Sequence, residues 1–186
     1  MPQIYFISGV SGVGKTSTII HLKKLLPADQ YDIRDFDEQG VPTGGGPQWH
    51  DGETLHWLDV ANENAKNNRS TVVCGFQNPK RFRELYKKEE HIPAHLILLH
   101  ASGDTLRERL LNRHATPESI REINRASGVT LDKFIKDIVS FAPELLSIFQ
   151  KENLPIVETS TKKPEEVARE ISEAILKINS RDVFCE

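Results

Sequence analysis

An eight-residue segment near the N-terminus has glycines, a lysine and a threonine at a spacing that suits phosphate binding. It reads Gly9-Val10-Ser11-Gly12-Val13-Gly14-Lys15-Thr16, follows the apolar run 3–8 and precedes a helix-like stretch that starts at Ser17. Glycines let the backbone curl around an anion with its N–H groups pointing inward, and the following helix directs the positive end of its dipole there. The pattern G-x-x-x-x-G-K-T between a strand and a helix therefore predicts a phosphate-binding loop.

The end of this loop carries side chains with separate tasks in binding a nucleoside triphosphate. Lys15 is expected to reach the β- and γ-phosphates and to take part in catalysis, and the Thr16 hydroxyl is expected to bind Mg²⁺. The loop residues predicted to bind the nucleotide are Gly9, Ser11, Gly12, Val13, Gly14, Lys15, Thr16 and Ser17. ATP and Mg²⁺ are the expected cofactors.

Strand-like and helix-like segments alternate along the chain. The strand-like runs cover residues 3–8, 31–36, 71–76, 94–100 and 154–159. This alternation predicts a parallel sheet with helices on both faces, which is a three-layer α/β/α fold. Ligands of such folds bind at the carboxyl ends of the strands. The residues that fall there are Gly9, Asp35 to Asp37, Gly75 and Thr159 to Thr161.

The predicted helices follow from apolar periodicity and from proline and capping residues. They cover 17–26, 52–67, 78–88, 104–113, 116–127, a segment from Thr130 that Pro143 is expected to bend or interrupt, and 164–178. The apolar face of the first is expected to include Ile19, Ile20, Leu22, Leu25 and Leu26.

The composition limits the kinds of protein that this chain can be. A chain of 186 residues with 38% hydrophobic and 27% charged residues is expected to form one domain over 1–186. Its net charge of −3 gives no support for nucleic-acid binding. No apolar stretch approaches the ~20 residues of a membrane helix, and two distant cysteines, Cys74 and Cys185, suggest no disulfide framework. We therefore expect a cytoplasmic protein, as a monomer or a homodimer.

Four motifs occur at the expected ends of the strands and on the helix after strand four: the loop 9–16, Asp35-x-Asp37, Arg109-Leu110-x-x-Arg113 and Thr159-Ser160-Thr161. Together with the order of the elements, they resemble the nucleoside- and nucleotide-kinase-like branch of P-loop proteins, which includes adenylate, shikimate and gluconate kinases. The resemblance covers most of the chain. It implies a five-stranded sheet in the order 2-3-1-4-5, an acceptor-binding region at about 38–90 and a helical lid at about 114–128.

The Asp35-x-Asp37 motif looks like the Asp-x-Asp of shikimate kinase, in which one carboxylate helps to position Mg²⁺ and the other contacts the acceptor hydroxyl. Alternate residues of a strand face opposite sides, so both carboxylates share a site only if the chain turns there. Asp37 is the preferred candidate for the catalytic base and Asp35 for the Mg²⁺ ligand. The opposite assignment stays open.

The resemblance also assigns roles on the nucleotide side. In related kinases the first arginine of R-L-x-x-R lies against the adenine and the second swings onto the phosphates. Arg109 is therefore expected to bind the nucleotide, and Arg113 is expected to contact the phosphates during catalysis. The loop after the fifth strand holds the adenine mostly through its backbone, which implies nucleotide-binding positions at Thr159 and Ser160.

Several departures from the family narrow the activity without identifying the acceptor. Strand three ends in Cys74-Gly75 where many P-loop proteins have an aspartate, and Asn-Lys-x-Asp for guanine binding is missing. The sequence predicts an ATP-dependent kinase that transfers the γ-phosphoryl group of Mg-ATP to a hydroxyl or phosphate of a small acceptor. The alternative is a P-loop ATP-binding or ATPase regulatory module without such an acceptor.

The acceptor pocket is expected to form from residues 38–85 together with Arg34. Its candidate residues are Arg34, Trp49, His50, His56, Trp57, Gln77, Asn78, Lys80, Arg81 and Arg83. The basic start of the helix at 78–83 suits an anionic acceptor such as a nucleoside monophosphate or a carboxylate. A solvated basic face explains the same residues equally well.

Overall fold

A five-stranded parallel sheet forms the centre of the protein. The computed structural model describes residues 1–42, 45–87 and 90–182, with side chains described as far as residue 179. The strands are β1 (Ile4–Ser8), β2 (Tyr31–Asp35), β3 (Ser70–Cys74), β4 (Ala94–His100) and β5 (Ile156–Glu158). Their order in the sheet is β2-β3-β1-β4-β5, and every pairing is parallel. The predicted fold class and strand order are confirmed.

The central strands are buried on both faces, which explains their nearly continuous apolar sequences. Every residue of β1 and of β3 is buried. β1 pairs with β3 on one side, where Ile4 lies opposite Thr71, and with β4 on the other, where Ile4 lies opposite Ala94. The phosphate-binding loop therefore leaves the sheet at its most central strand.

Helices cover both faces of the sheet. In the described residues they are α1 (Lys15–Leu25), α2 (Pro47–Lys66), α3 (Pro79–Leu85), α4 (Gly103–Arg113), α5 (Pro117–Ser127), α6 (Leu131–Lys151) and α7 (Pro164–Asp182). Four helices are capped by side chains that accept bonds from the first-turn N–H groups. The capping residues are Asn78, Ser102, Thr116 and Thr130. None of the helices in the described ranges is both long and apolar enough to cross a membrane.

Two sequence predictions about the helices were wrong in detail, and a third was wrong in part. α2 begins at Pro47 rather than near Gly52, because proline is well suited to the first helical position. Pro143 was expected to bend or interrupt its helix, and α6 is not interrupted there, since it continues through this exposed residue. On α1, Ile20 and Leu25 are 59% and 46% exposed, because this helix buries a different face.

Cys74 is a buried free thiol in the core, and burial raises its pKa to about 12. Its thiol is therefore not suited to nucleophilic chemistry at neutral pH. Cys185 lies outside the described residues.

A second, smaller hydrophobic cluster joins the helices that follow β4. Leu110 of α4 packs with Leu131 and Ile135 of α6, and Ile120 and Ile123 of α5 pack against this cluster. No residue of α5 is fully buried. α5 is therefore attached to the protein mainly through two half-buried isoleucines.

Candidate active site

The backbone of the loop between β1 and α1 has the shape that its glycines permit. Gly9, Gly12 and Gly14 have φ angles of 151°, 82° and 107°, which side chains rarely adopt. At Gly9 a Cβ atom would also lie only 2.7 Å from the Leu99 carbonyl oxygen and 2.8 Å from a methyl group of Val13. α1 begins directly after Gly14 and has no side-chain cap, so its first N–H groups can donate to an anion.

Lys15 lies at the centre of the charged groups of the site. Its Nζ donates to the carbonyl oxygens of Gly9 (2.7 Å) and Val10 (3.1 Å). Burial lowers the pKa of Lys15 to about 8, while the charges of Asp37 and Asp35 raise it. Arg113 also acts on Lys15 and lowers its pKa. These predicted residues therefore converge on the end of the phosphate-binding loop.

The two aspartates at the end of β2 and just after it, Asp35 and Asp37, share one site. Thr16 Oγ1 donates to Asp35 Oδ2 at 3.1 Å, and the backbone nitrogen of Asp37 lies 3.5 Å from Asp35 Oδ1. The chain therefore turns directly after the strand, so both carboxylates lie on the side of Lys15. The Thr16 hydroxyl beside the Asp35 carboxylate suits Mg²⁺, which takes oxygen ligands and needs few of them from the protein.

Asp37 has the properties of a proton acceptor. Burial raises its pKa, and the neighbouring Asp35 carboxylate raises it further. The charges of Lys15 and His50 lower the pKa and oppose part of this shift. A carboxylate with a raised pKa is a stronger base than an ordinary aspartate.

Arg109 joins three parts of the nucleotide side. Its Nη1 donates to the Val13 carbonyl oxygen and to Thr159 Oγ1, both at 3.2 Å, and its Nη2 donates to the Thr159 carbonyl oxygen at 2.7 Å. Thr159 Oγ1 in turn donates to the Val13 carbonyl oxygen at 2.9 Å. One guanidinium thus holds the phosphate-binding loop, α4 and the segment after β5 together.

A cavity of about 360 Å³ opens beside this junction. It is lined by Gly12, Val13, Gly14, Ser17, Thr18, Arg109, Arg113, Thr159, Lys162, Pro164 and Val167. The volume falls within the range of small-molecule sites. Most of the predicted nucleotide-binding residues thus come together here. Lys162 was missed by sequence reasoning, because an isolated lysine in a loop gives no signal of its position.

Not every predicted nucleotide-binding residue lies in this cavity. Five of them are not part of its lining, namely Gly9, Ser11, Lys15, Thr16 and Ser160. Gly9 packs against β4. The Ser160 hydroxyl accepts a hydrogen bond from the Ser102 backbone at 2.8 Å and also donates to the Glu158 carboxylate. The side chain of Ser160 therefore connects two loops of the protein.

A second cavity, of about 390 Å³, lies beyond the end of β3. Its lining is Gly45, Gly46, Pro47, Trp49, His50, Asp51, Phe76, Asn78 and Arg81. We call it the β3 cavity. Four of the acceptor candidates line it: Trp49, His50, Asn78 and Arg81. Asp51 and Phe76 were not foreseen, since only the early start of α2 brings residue 51 to this position.

Other acceptor candidates have structural contacts instead. Trp57 is buried in the core and donates its indole N–H to the Phe36 carbonyl oxygen at 3.2 Å. Gln77 is also buried, and its amide donates to the Thr54 hydroxyl at 3.0 Å. His56 bonds to Gln39 at 3.1 Å. None of these three lines the β3 cavity.

His50 connects the β3 cavity to the aspartates. Its ring stacks on Phe36, with centroids 4.9 Å apart, and its Nε2 donates to the Phe76 carbonyl oxygen at 2.7 Å. The charge of His50 also acts on Asp37. Gly75 permits this packing, because a Cβ atom there would lie 2.1 Å from Phe36 Cβ.

A larger cavity, of about 700 Å³, lies at the opposite end of the sheet. It is lined in part by Gln3 and Ser70, which precede β1 and begin β3. Sites of open α/β sheets lie at the carboxyl ends of the strands. The size of this cavity therefore does not make it the candidate active site.

Comparisons with solved structures find the same fold in other proteins. A shikimate kinase from Acinetobacter baumannii matches with a TM-score of 0.56 and 17% identity, over 95% of this chain and 94% of that one. A gluconokinase from Sinorhizobium meliloti 1021 matches with a TM-score of 0.60 and 20% identity, over 98% and 96%. A tunicamycin resistance protein from Deinococcus radiodurans gives 0.61 and 19%, over 94% and 96%.

These likenesses confirm the resemblance predicted from the sequence at the level of the fold. No protein-family model matches the sequence, and no curated protein matches it either. The activity must therefore be argued from the side chains of this chain.

Proposed function

We propose that this protein is an ATP-dependent kinase that phosphorylates a hydroxyl group of a small molecule. The observation that carries the proposal is the position of Asp37. Asp37 directly follows Phe36, whose ring stacks on His50 at the wall of the β3 cavity. The backbone nitrogen of Asp37 lies 3.5 Å from Asp35 Oδ1, and the charge of Asp37 acts on Lys15 on the nucleotide side. A base between a phosphate-binding loop and a second cavity suits transfer from one bound molecule to another.

The reaction follows from this arrangement. The N–H groups of the loop and Lys15 hold the phosphates of ATP, and the acceptor occupies the β3 cavity. The acceptor oxygen forms a bond to the γ-phosphorus while the bond to the β-phosphate oxygen breaks, and ADP leaves. The hydroxyl proton passes to Asp37. Mg²⁺, held by Thr16 and Asp35, would neutralise charge on the phosphate oxygens.

Arg109 and Arg113 have different tasks in this proposal. Arg109 positions the adenosine end, because its guanidinium is fixed by Val13 and Thr159 while it lines the nucleotide cavity. Arg113 is exposed at the end of α4 and lines the same cavity. It is therefore the arginine that can move onto the phosphates when the site closes.

The remaining expectations about domains and setting are part of the proposal. We assign residues 114–128, which contain α5, to a lid that excludes water on closing, because α5 has no fully buried residue. Residues 38–90 form the acceptor region of a single kinase domain. A cytoplasmic location, a monomer or homodimer, and the lack of a nucleic-acid partner remain predictions from the sequence.

The test is a panel of hydroxylated metabolites scored for ADP release. At least one member is expected to raise ADP release above the rate with water alone, and Asp37→Ala is expected to remove that increase. A different result would favour the alternative, a regulatory ATPase module. In that case no member raises turnover, and Asp37→Ala leaves the slow hydrolysis of ATP unchanged.

A further inference from the structure

The single permanent positive charge on the described lining of the β3 cavity belongs to Arg81. Its Nε donates to Asp51 Oδ1 at 3.0 Å, its Nη2 bonds to Asp51 Oδ2, and its Nη1 bonds to Glu84. The hydrogen bonds from Arg81 lower the pKa of Asp51, so this carboxylate stays ionised. Two carboxylates therefore face one guanidinium, and the cluster carries a net negative charge.

Other arginines that the sequence suggested for an anionic acceptor are paired too. Arg83 Nη2 donates to Glu152 at 2.7 Å, and Arg34 Nε donates to Asp32 at 2.8 Å. Lys80 is exposed and is not part of the described lining of the cavity. An anionic group in the β3 cavity would have to compete with Asp51 for the only guanidinium there, which costs affinity.

The walls of the β3 cavity suit an uncharged ring instead. Trp49, His50 and Phe76 line it, and Trp49 and Phe76 both meet the His50 ring edge to face, at 6.5 Å and 5.7 Å. Aromatic walls favour planar or apolar rings. α2 starts at this cavity without a side-chain cap, so the N–H groups of its first turn can donate to oxygen atoms of a bound molecule, whether or not that molecule is charged.

We infer that the acceptor is an uncharged, hydroxylated molecule that carries a planar ring. The inference rests on the proposed kinase function and narrows its substrate class. The ring lies against Trp49 and His50, and a hydroxyl group reaches Asp37. A carboxylate or phosphate in the same place would have to compete with Asp51 for Arg81 and is therefore expected to bind more weakly.

The first test uses acceptor pairs that differ in one property. Uridine and uridine 5′-monophosphate differ in charge, as do methyl shikimate and shikimate, while arbutin and methyl glucoside differ in the aromatic ring. The neutral, ring-bearing members are expected to give at least tenfold higher kcat/KM for ADP release. Anionic members that match or exceed their neutral partners overturn the inference and leave the kinase proposal intact. Failure of every member, here and in the metabolite panel, overturns the kinase proposal.

The second test changes the charge of the cavity without changing its shape. Asp51→Asn removes one of the two carboxylates that pair with Arg81 and is expected to shift the ratio of kcat/KM about tenfold toward the anionic member of each pair. Glu152→Gln is the matched control, because it releases Arg83 away from the cavity. Its ratio is expected to stay at the wild-type value. An unchanged ratio in Asp51→Asn, or an equal shift in both variants, overturns the inference.

Discussion

The nucleotide side is formed mainly by backbone groups, whereas the β3 cavity is formed mainly by side chains. On the nucleotide side, backbone groups of the phosphate-binding loop form the site, and Arg109 and Thr159 hold it through carbonyl oxygens. In the β3 cavity, aromatic rings from α2 and from the end of β3 form the walls. Phosphate is common to every nucleotide and can be bound by backbone, whereas an individual acceptor must be recognised by side chains. Variants of the two sides should therefore affect different kinetic constants.

The largest effect is expected on the nucleotide side, from Lys15→Ala. It should lower kcat on the order of 10³-fold with every acceptor, because charge on the transferred phosphoryl group loses its fixed cation. Burial lowers the pKa of Lys15 to about 8, so at pH 7 the lysine keeps its charge in the folded protein at a free-energy cost relative to the unfolded chain. Removing it should therefore not lower the stability of the folded protein. Thermal unfolding measures the stability of the variant, and ADP release measures its kcat. A variant that retains a tenth of the activity would contradict the assigned role.

Asp37→Asn tests the group between the two sides. It should lower kcat by roughly 10²- to 10³-fold, because no base remains for the acceptor hydroxyl. The wild type should lose activity on acidification at a pH above the ordinary 3.8 of aspartate, since burial raises the pKa of Asp37. The remaining activity of Asp37→Asn should not show this fall at low pH, which is the acid limb of the pH–activity profile.

Unfolding measured against pH checks the sign of the same shift. Between the ordinary and the raised pKa of Asp37, the folded state binds more protons than the unfolded state. The stability of the wild type should therefore fall as pH rises through that window. Asp37→Asn should not show this contribution. If Asp37→Asn loses activity but its pH–activity profile still falls at low pH as in the wild type, Asp37 is not the base.

Arg109→Lys should affect the nucleotide side and leave the β3 cavity unchanged. A lysine cannot reproduce the forked contacts with Val13 and Thr159, so the KM for ATP should rise about tenfold. The KM for the acceptor should stay within about twofold. Arg107→Lys, an exposed position on the same helix, is the control and should leave both constants unchanged. An equal rise in both constants for Arg109→Lys would show that the two sides are not independent.

Gly75→Ala gives the smallest expected effect, on the β3 cavity. The added methyl group would lie 2.1 Å from Phe36 Cβ, and the movement of Phe36 would displace the stacked His50 ring. Stability should fall by about 2 kcal/mol and the acceptor KM should rise severalfold, with the KM for ATP unchanged. Gly52→Ala, with no atom near the added methyl group, should instead stabilise α2 by roughly 0.5–1 kcal/mol in urea unfolding. Equal stability of Gly75→Ala and wild type would contradict the packing described here.

The sequence predicted the parts of the site that depend on local spacing. The phosphate-binding loop and the turn after Asp35 are encoded within a few residues, and strand order came from the resemblance to known kinases. The fork from Arg109 could not be predicted, since its partners Val13 and Thr159 lie 96 and 50 residues away. Only the folded sheet brings them together.

The β3 cavity shows a second limit of sequence reasoning. The glycines before Pro47 made the segment look like an irregular loop, so the start of α2 was predicted too late. Proline at the first helical position is nevertheless a known start signal. Because α2 starts early, Asp51 lies beside Arg81 and pairs with it. The basic segment 78–83 is therefore weaker support for an anionic acceptor than its sequence suggests. Charges counted along a chain do not reveal which of them are already neutralised.

The short β5 strand has a consequence for exchange of the bound nucleotide. It has three residues at the edge of the sheet, and the backbone N–H of Thr159 donates to the His100 carbonyl oxygen at 2.7 Å. Edge strands of this length open locally at low free-energy cost. Each opening would release Thr159 from Arg109 and Val13, and with it one wall of the nucleotide cavity. The amide hydrogen of Thr159 should thus exchange with solvent faster than those of β1, and bound nucleotide should slow that exchange.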